Sequence, residues 1–161
     1  MLTIIIGFSM TLCFALSFGM LVKANPAVSY IYYDTNDTGI TDTHNGSCTD
    51  YNIVNDQTNW GTAGQTKWYV VNSSVTISDR ITVNGDVNLI LVDGYTLTAS
   101  KGIGVNDGNS LTIYGQSTDA STMGVLKSQN VDSNCAAIGG NSSQSSGQIT
   151  VNGGKITTKR R

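Results

Sequence analysis

Asp86, Asp93 and Asp107, with Arg80 and Lys101 near them in sequence, are the residues of this chain whose types fit acid–base chemistry. Carboxylates clustered beside a cation are what polysaccharide lyases and glycoside hydrolases need to protonate a leaving oxygen and activate a nucleophile. Each of the three, however, adjoins a glycine (Gly85, Gly94 or Gly108), and Asp beside Gly is ordinary turn chemistry. The turn role is the better fit, so no catalytic residue is assigned and no enzyme is expected. His44, the single histidine, stands in a polar segment without a sequence partner and is expected to be solvated. Asp34-Thr35-Asn36-Asp37-Thr38-Gly39 begins like a calcium loop, but Thr38 falls where the third ligand belongs and no Glu follows. With no His/Cys cluster at metal spacing and no G-x-S-x-G elbow, neither a metal nor a cofactor is expected. Binding chemistry is a separate matter. Trp60, Trp68 and Tyr51, with Tyr32 and Tyr33, either offer an aromatic platform for sugar rings or close the end of a core.

The elements that must position these residues are short strands. From Trp68 onward apolar residues alternate: Tyr69 and Val71, Val75 and Ile77, Ile81 and Val83, Val87, Leu89 and Leu91, then Tyr95 and Leu97. Asn84-Gly85, Asp93-Gly94 and Asp107-Gly108 separate them, pairs that accept positive φ and turn the chain sharply. Such pairs also mark antiparallel hairpins. Recurrence favours coils instead: Val83-Asn84, Leu89 and Leu91 return 22 positions later as Val105-Asn106, Leu111 and Ile113. "GQITVNGGKITT" (147–158) matches Ile81 to Asp86 a third time. The 22-residue spacing predicts Val83 over Val105, Leu89 over Leu111 and Leu91 over Ile113 in aligned stacks. Between Gln116 and Ser146 one coil is expanded into Ser-, Thr-, Gly- and Asn-rich loops, which either present a recognition surface or are merely tolerated.

Composition agrees with strands. Gly, Ser, Thr, Asn and Asp fill 81 of 161 positions and no Glu occurs, a mixture that favours turns and starves helices. A net charge of −2 gives no basic surface, so nucleic acid is not expected as a partner. Residues 1–22 are uncharged and nearly all apolar or small, followed by Val22-Lys23-Ala24, which fits a signal peptide of residues 1–24. An uncleaved anchor remains the alternative, and is the only route by which the chain would meet a membrane. Cys13 lies inside that run. Cys48 and Cys135 remain, either as a disulfide closing a loop of about 90 residues and adding a few kcal/mol, or as two buried free thiols.

"WYVV", "RITVNGDVNLILVDGYTLTA", "GIGVNDGNSLTIYGQS", "AAIGG" and "GQITVNGGKIT" resemble the N-terminal β-helix region of large, adhesin-like, largely uncharacterised surface or secreted proteins of anaerobic bacteria. The resemblance spans residues 30–158 and implies a right-handed parallel β-helix, but supplies no catalytic residue. The fold expected is therefore all-β, a right-handed parallel β-helix of about four coils over residues 68–161, capped by an irregular segment of residues 25–67. The chain is expected either to end abruptly at Arg161 or to be the first part of a longer protein. The function expected is that of a secreted or cell-surface structural and adhesive domain, presenting loops to a glycan or a host or matrix surface protein. A carbohydrate-active protein is the alternative: a noncatalytic sugar-binding module ahead of a lyase or hydrolase.

Overall fold

The computed structural model describes residues 24–35, 39, 41–130 and 134–160. The expected leader with Cys13, and residues 36–38 of the calcium-like run, lie outside them. The described chain is all-β: thirteen strands and no helix. They form two sheets that face each other across one apolar interior.

The nine-stranded sheet is mixed. Its centre is β6 (Ile81–Leu91), flanked in parallel by β4 (Asn59–Val71) and β9 (Ser110–Gly115). β12 (Gln148–Val151) extends it beyond β9, while β8 (Ile103–Gly104) and β11 (Ile138–Gly139) extend it from the first half of β6. β3 (Asn52–Ile53) covers only Tyr69 and Val70 of β4. The second sheet is parallel throughout, in the order β13 (Lys155–Arg160), β10 (Val125–Asn130), β7 (Thr96–Ala99), β5 (Val75–Ile77).

Alternation makes these strands two-faced, and parallel register turns it into apolar columns. Tyr69, Leu89, Ile113 and Val151 follow one another across β4, β6, β9 and β12. Val75, Leu97, Leu126 and Ile156 do the same in the second sheet. Leu89, Ile113, Leu97 and Leu126 are fully buried, each burial contributing roughly 1.5 to 3 kcal/mol. The last position of the first column is different: Val151 is 53% exposed, and Ile149 beside it 37%.

The register departs from the sequence repeat. Ile81 pairs with Ile103 at the expected offset of 22, but Leu89 pairs with Ile113 and Leu91 with Gly115, an offset of 24. The cause is local. Three residues of β6, from Val83 to Gly85, are matched by five on the facing chain, from Val105 to Asn109, and the excess bulges out at Asp107-Gly108. Asn109 repairs the gap, its Oδ1 accepting the Gly85 N–H at 2.7 Å. A second excursion lies on the other side, where residues 62–65 of β4 stand opposite the single Gly85.

The segment expected to be an irregular cap is largely strand. β1 (Val28–Thr35) and β2 (Thr41–Cys48) pair antiparallel along their full length, and Ile31 joins β1 to Gly115 at the end of β9. The boundary expected after Lys67 runs through the middle of β4. β2 is exposed along most of its length and β1 packs only Val28 and Tyr30 on an apolar cluster, so the ribbon carries little apolar alternation in the sequence.

Candidate functional site

The two tryptophans part company. Trp60, in register with Val83, is fully buried in the main core; its ring stacks on Tyr69 at 5.2 Å and its indole N–H donates to Gln57 O at 3.0 Å. Tyr51 is also buried, its hydroxyl donating to Pro26 O at 3.0 Å and so fastening the start of the N-terminal segment. The expected platform of Trp60, Trp68 and Tyr51 is therefore not assembled: two of its three rings are core. Even spacing of aromatics says nothing about which face of the strand each takes.

Trp68 points to the opposite side of β4 from Tyr69 and is half-buried. It stacks on Tyr114 of β9 at 5.4 Å and 25°, with Tyr30 4.9 Å away. Tyr30 continues to Tyr32 at 6.1 Å, and Tyr32 stacks on His44 at 5.1 Å. His44 is thus a stacked strand residue rather than a loop one. Burial holds the Tyr30 and Tyr114 phenols above the ordinary tyrosine value.

Beside Trp68 lies a cleft of about 300 Å³, lined by Asp50, Asn52, Thr62, Thr66 and Lys67 among others. Three features of the chain create it. β3 is too short to cover β4 before Tyr69; residues 62–65 bulge outward; and Lys67 takes the column position held by Val87 and Leu111 on the next strands. Its base is pinned, with Gly61 N–H donating to the Tyr69 hydroxyl at 2.8 Å and Asn52 Nδ2 to Trp68 O at 3.3 Å. The Asp50 carboxylate, the Lys67 ammonium, the Thr62 and Thr66 hydroxyls and the Trp68 indole N–H bond to nothing among the described residues.

No protein-family model, curated protein or solved structure matches this chain. The site therefore rests on its own chemistry.

Several polar side chains elsewhere are engaged. Asp86 and Asp107 do meet, in a second hollow of about 300 Å³, but Asp86 Oδ1 accepts from Ser110 Oγ at 2.6 Å and Asp107 Oδ1 from the Gly108 N–H at 3.0 Å. The rest of that lining is amide, hydroxyl and glycine. Asp93 sits at a different turn: its backbone N–H donates to Gln116 Oε1 at 3.2 Å, while its buried Oδ1 accepts no hydrogen bond among the described residues. Lys101 pairs with Asp79 at 2.7 Å. Arg80 is a clamp: Nε donates to Asn141 Oδ1 at 2.7 Å, and its Nη atoms to the carbonyls of Lys101, Ala136 and Gly139 at 2.9, 3.0 and 3.4 Å. These bonds hold the loop from Ala136 to Asn141 against β8. Arg80→Ala is expected to lower unfolding stability by about 1 to 2 kcal/mol, read from the urea midpoint, and Arg80→Lys to recover less than half, since an ammonium cannot fork to four acceptors.

Cys48 and Cys135 are free thiols in the structure, not a disulfide. Cys48 packs with Tyr51, Val70 and Ile90 in a cluster on the face of the nine-stranded sheet away from the main core, and its thiol donates to Asp50 O at 3.4 Å. Cys135 lines a hollow beside β13 with Lys159 and Arg160. Burial pushes the Cys48 thiol up, which lowers its thiolate fraction. Native alkylation followed by peptide mass spectrometry is expected to label Cys135 several-fold faster than Cys48, and equal rates would contradict the burial of Cys48.

Proposed function

We propose that the chain is a secreted or cell-surface structural and adhesive domain, a right-handed parallel β-helix that holds loops at fixed spacing for a glycan or a host or matrix surface protein. It acts without catalysis. The observation that carries this reading is the ladder of parallel register through β4, β6, β9 and β12, a support that the 62–65 bulge and the connection after β9 leave. Stiffness matters because a loop fixed in advance loses less entropy on binding. The internal bonds of Asp86, Asp107 and Arg80 fit the reading, since those groups serve the turns and the loop they hold.

A noncatalytic sugar-binding module is the second reading, favoured by the half-buried Trp68 in the wall of a polar cleft. Both readings are tested by coating beads with the full chain and measuring retention on surfaces bearing polysaccharide or matrix protein. Saturable retention that free chain competes away supports them, and retention no greater than that of albumin-coated beads overturns both.

A further inference from the structure

We infer that the cleft beside Trp68 is a carbohydrate site that takes one pyranose ring of a larger glycan. This inference rests on the surface-binding reading above and gives it a ligand class. Asp50, Lys67, Thr62, Thr66 and Trp68 line the cleft together, and the polar ends of their side chains make no hydrogen bond or ion pair within the described residues. That combination selects against most ligand classes. A bare cation is repelled by Lys67 and a bare phosphate by Asp50, whereas a ring carrying vicinal hydroxyls both donates to the carboxylate and accepts from the ammonium. Trp68 adds an amphipathic rim, its ring fixed in place by Tyr114 at 5.4 Å and Tyr30 at 4.9 Å, so that binding orders little new. A volume of about 300 Å³ is at the low end of ligand pockets, which run from roughly 300 to 1,000 Å³, so it holds one ring while the rest of the glycan leaves through the open side.

Lys67 is the residue that makes the cleft unusual. Its column continues as Val87 and Leu111, both buried, so an apolar residue here would complete the interior. Lys67 is half-buried there, and lysine suits such a position because its methylene stem tolerates burial while its ammonium seeks water.

The test is a nuclear magnetic resonance titration of the full chain with the methyl pyranosides of glucose, N-acetylglucosamine and galacturonic acid, followed at the Trp68 indole N–H and the amides of residues 50–52 and 62–68. At least one is expected to give saturable shifts confined to those signals. Asp50→Ala and Lys67→Met should each weaken binding about tenfold or more, the loss expected for one charge-assisted hydrogen bond, while Asp86→Ala in the other hollow leaves it unchanged. Lys67→Met is expected to fold, because it replaces the ammonium by an apolar end, so a null result with that variant reports on binding. No saturable shift at Trp68 with any of the three sugars, or shifts produced equally by free glycine as a zwitterionic probe, overturns the site. Bead retention that persists while the titration fails removes the cleft but leaves the adhesive reading, and loss of both removes the two together.

Discussion

Gly85→Ala is expected to destabilise the protein by about 2 to 5 kcal/mol in urea unfolding, more than its small change in volume suggests. Two costs combine. Gly85 has φ of 71°, which costs an L-residue roughly 1 to 2 kcal/mol. A methyl group there would also fall on the carbonyl oxygens of Thr62 and Gln65 across the β4 bulge, backbone atoms that cannot turn aside, which adds roughly 1 to 3 kcal/mol of overpacking. Gly108→Ala separates the two terms. Its φ is 79° but a methyl would meet nothing within 4 Å, so it is expected to lose only about 1 to 2 kcal/mol. Equal losses at the two positions would mean that β4 and β6 do not approach closely at the bulge.

Trp60→Ala is expected to cost about 3 to 5 kcal/mol, enough to threaten folding at 37 °C in a domain of ordinary stability. Trp60 has no exposed surface, sits in register with Val83 and stacks on Tyr69, so truncation opens a cavity at the end of the column that the β-hairpin segment cannot refill. Trp68→Ala removes a half-buried ring and is expected to cost about 1 kcal/mol, with the larger change in sugar retention. Differential scanning calorimetry of the two variants distinguishes them. If Trp60→Ala melts with the wild type and loses glycan retention, Trp60 is a binding residue and the core as described is wrong.

Most of the interior was legible because two-residue periodicity directly encodes which side of a strand is buried. Tyr69 and Val71, Val87, Leu89 and Leu91, and Leu111 and Ile113 all take the inward face that their alternation indicates. Register was not legible at the same level. The 22-residue likeness of "VN" at Val83 and Val105 aligned the wrong pairs downstream, because the repeat counts residues while hydrogen bonding follows paths, and the Asp107-Gly108 bulge consumes two residues without advancing the strand. The β1–β2 ribbon escaped because it commits only Val28, Tyr30 and Cys48 to an apolar cluster, too few to make a periodic apolar mark. The cleft was hidden for a different reason. Asp50, Thr62 and Lys67 are each unremarkable in sequence and become a site only because β3 stops short and residues 62–65 leave the ladder. One signal was available: Lys67 interrupts an inward column otherwise filled by apolar side chains.

The central claim is that the parallel strands form one stack in which β6 and β9 pair at an offset of 24 residues. Cysteine pairs test it directly, in a background of Cys48→Ala and Cys135→Ser with cross-links located by peptide mapping. Asn88 and Thr112 are paired across β6 and β9, so their Cα atoms stand at the inter-strand spacing of about 4.8 Å, within disulfide reach. Asn88 and Ser110, the pair implied by a 22-residue repeat, are two residues out of register and about 8 Å apart. Mild oxidation is expected to cross-link Asn88→Cys with Thr112→Cys in high yield and to leave Asn88→Cys with Ser110→Cys largely reduced. Cross-linking of the Ser110 pair in preference to the Thr112 pair, or of neither, would contradict the parallel stack described.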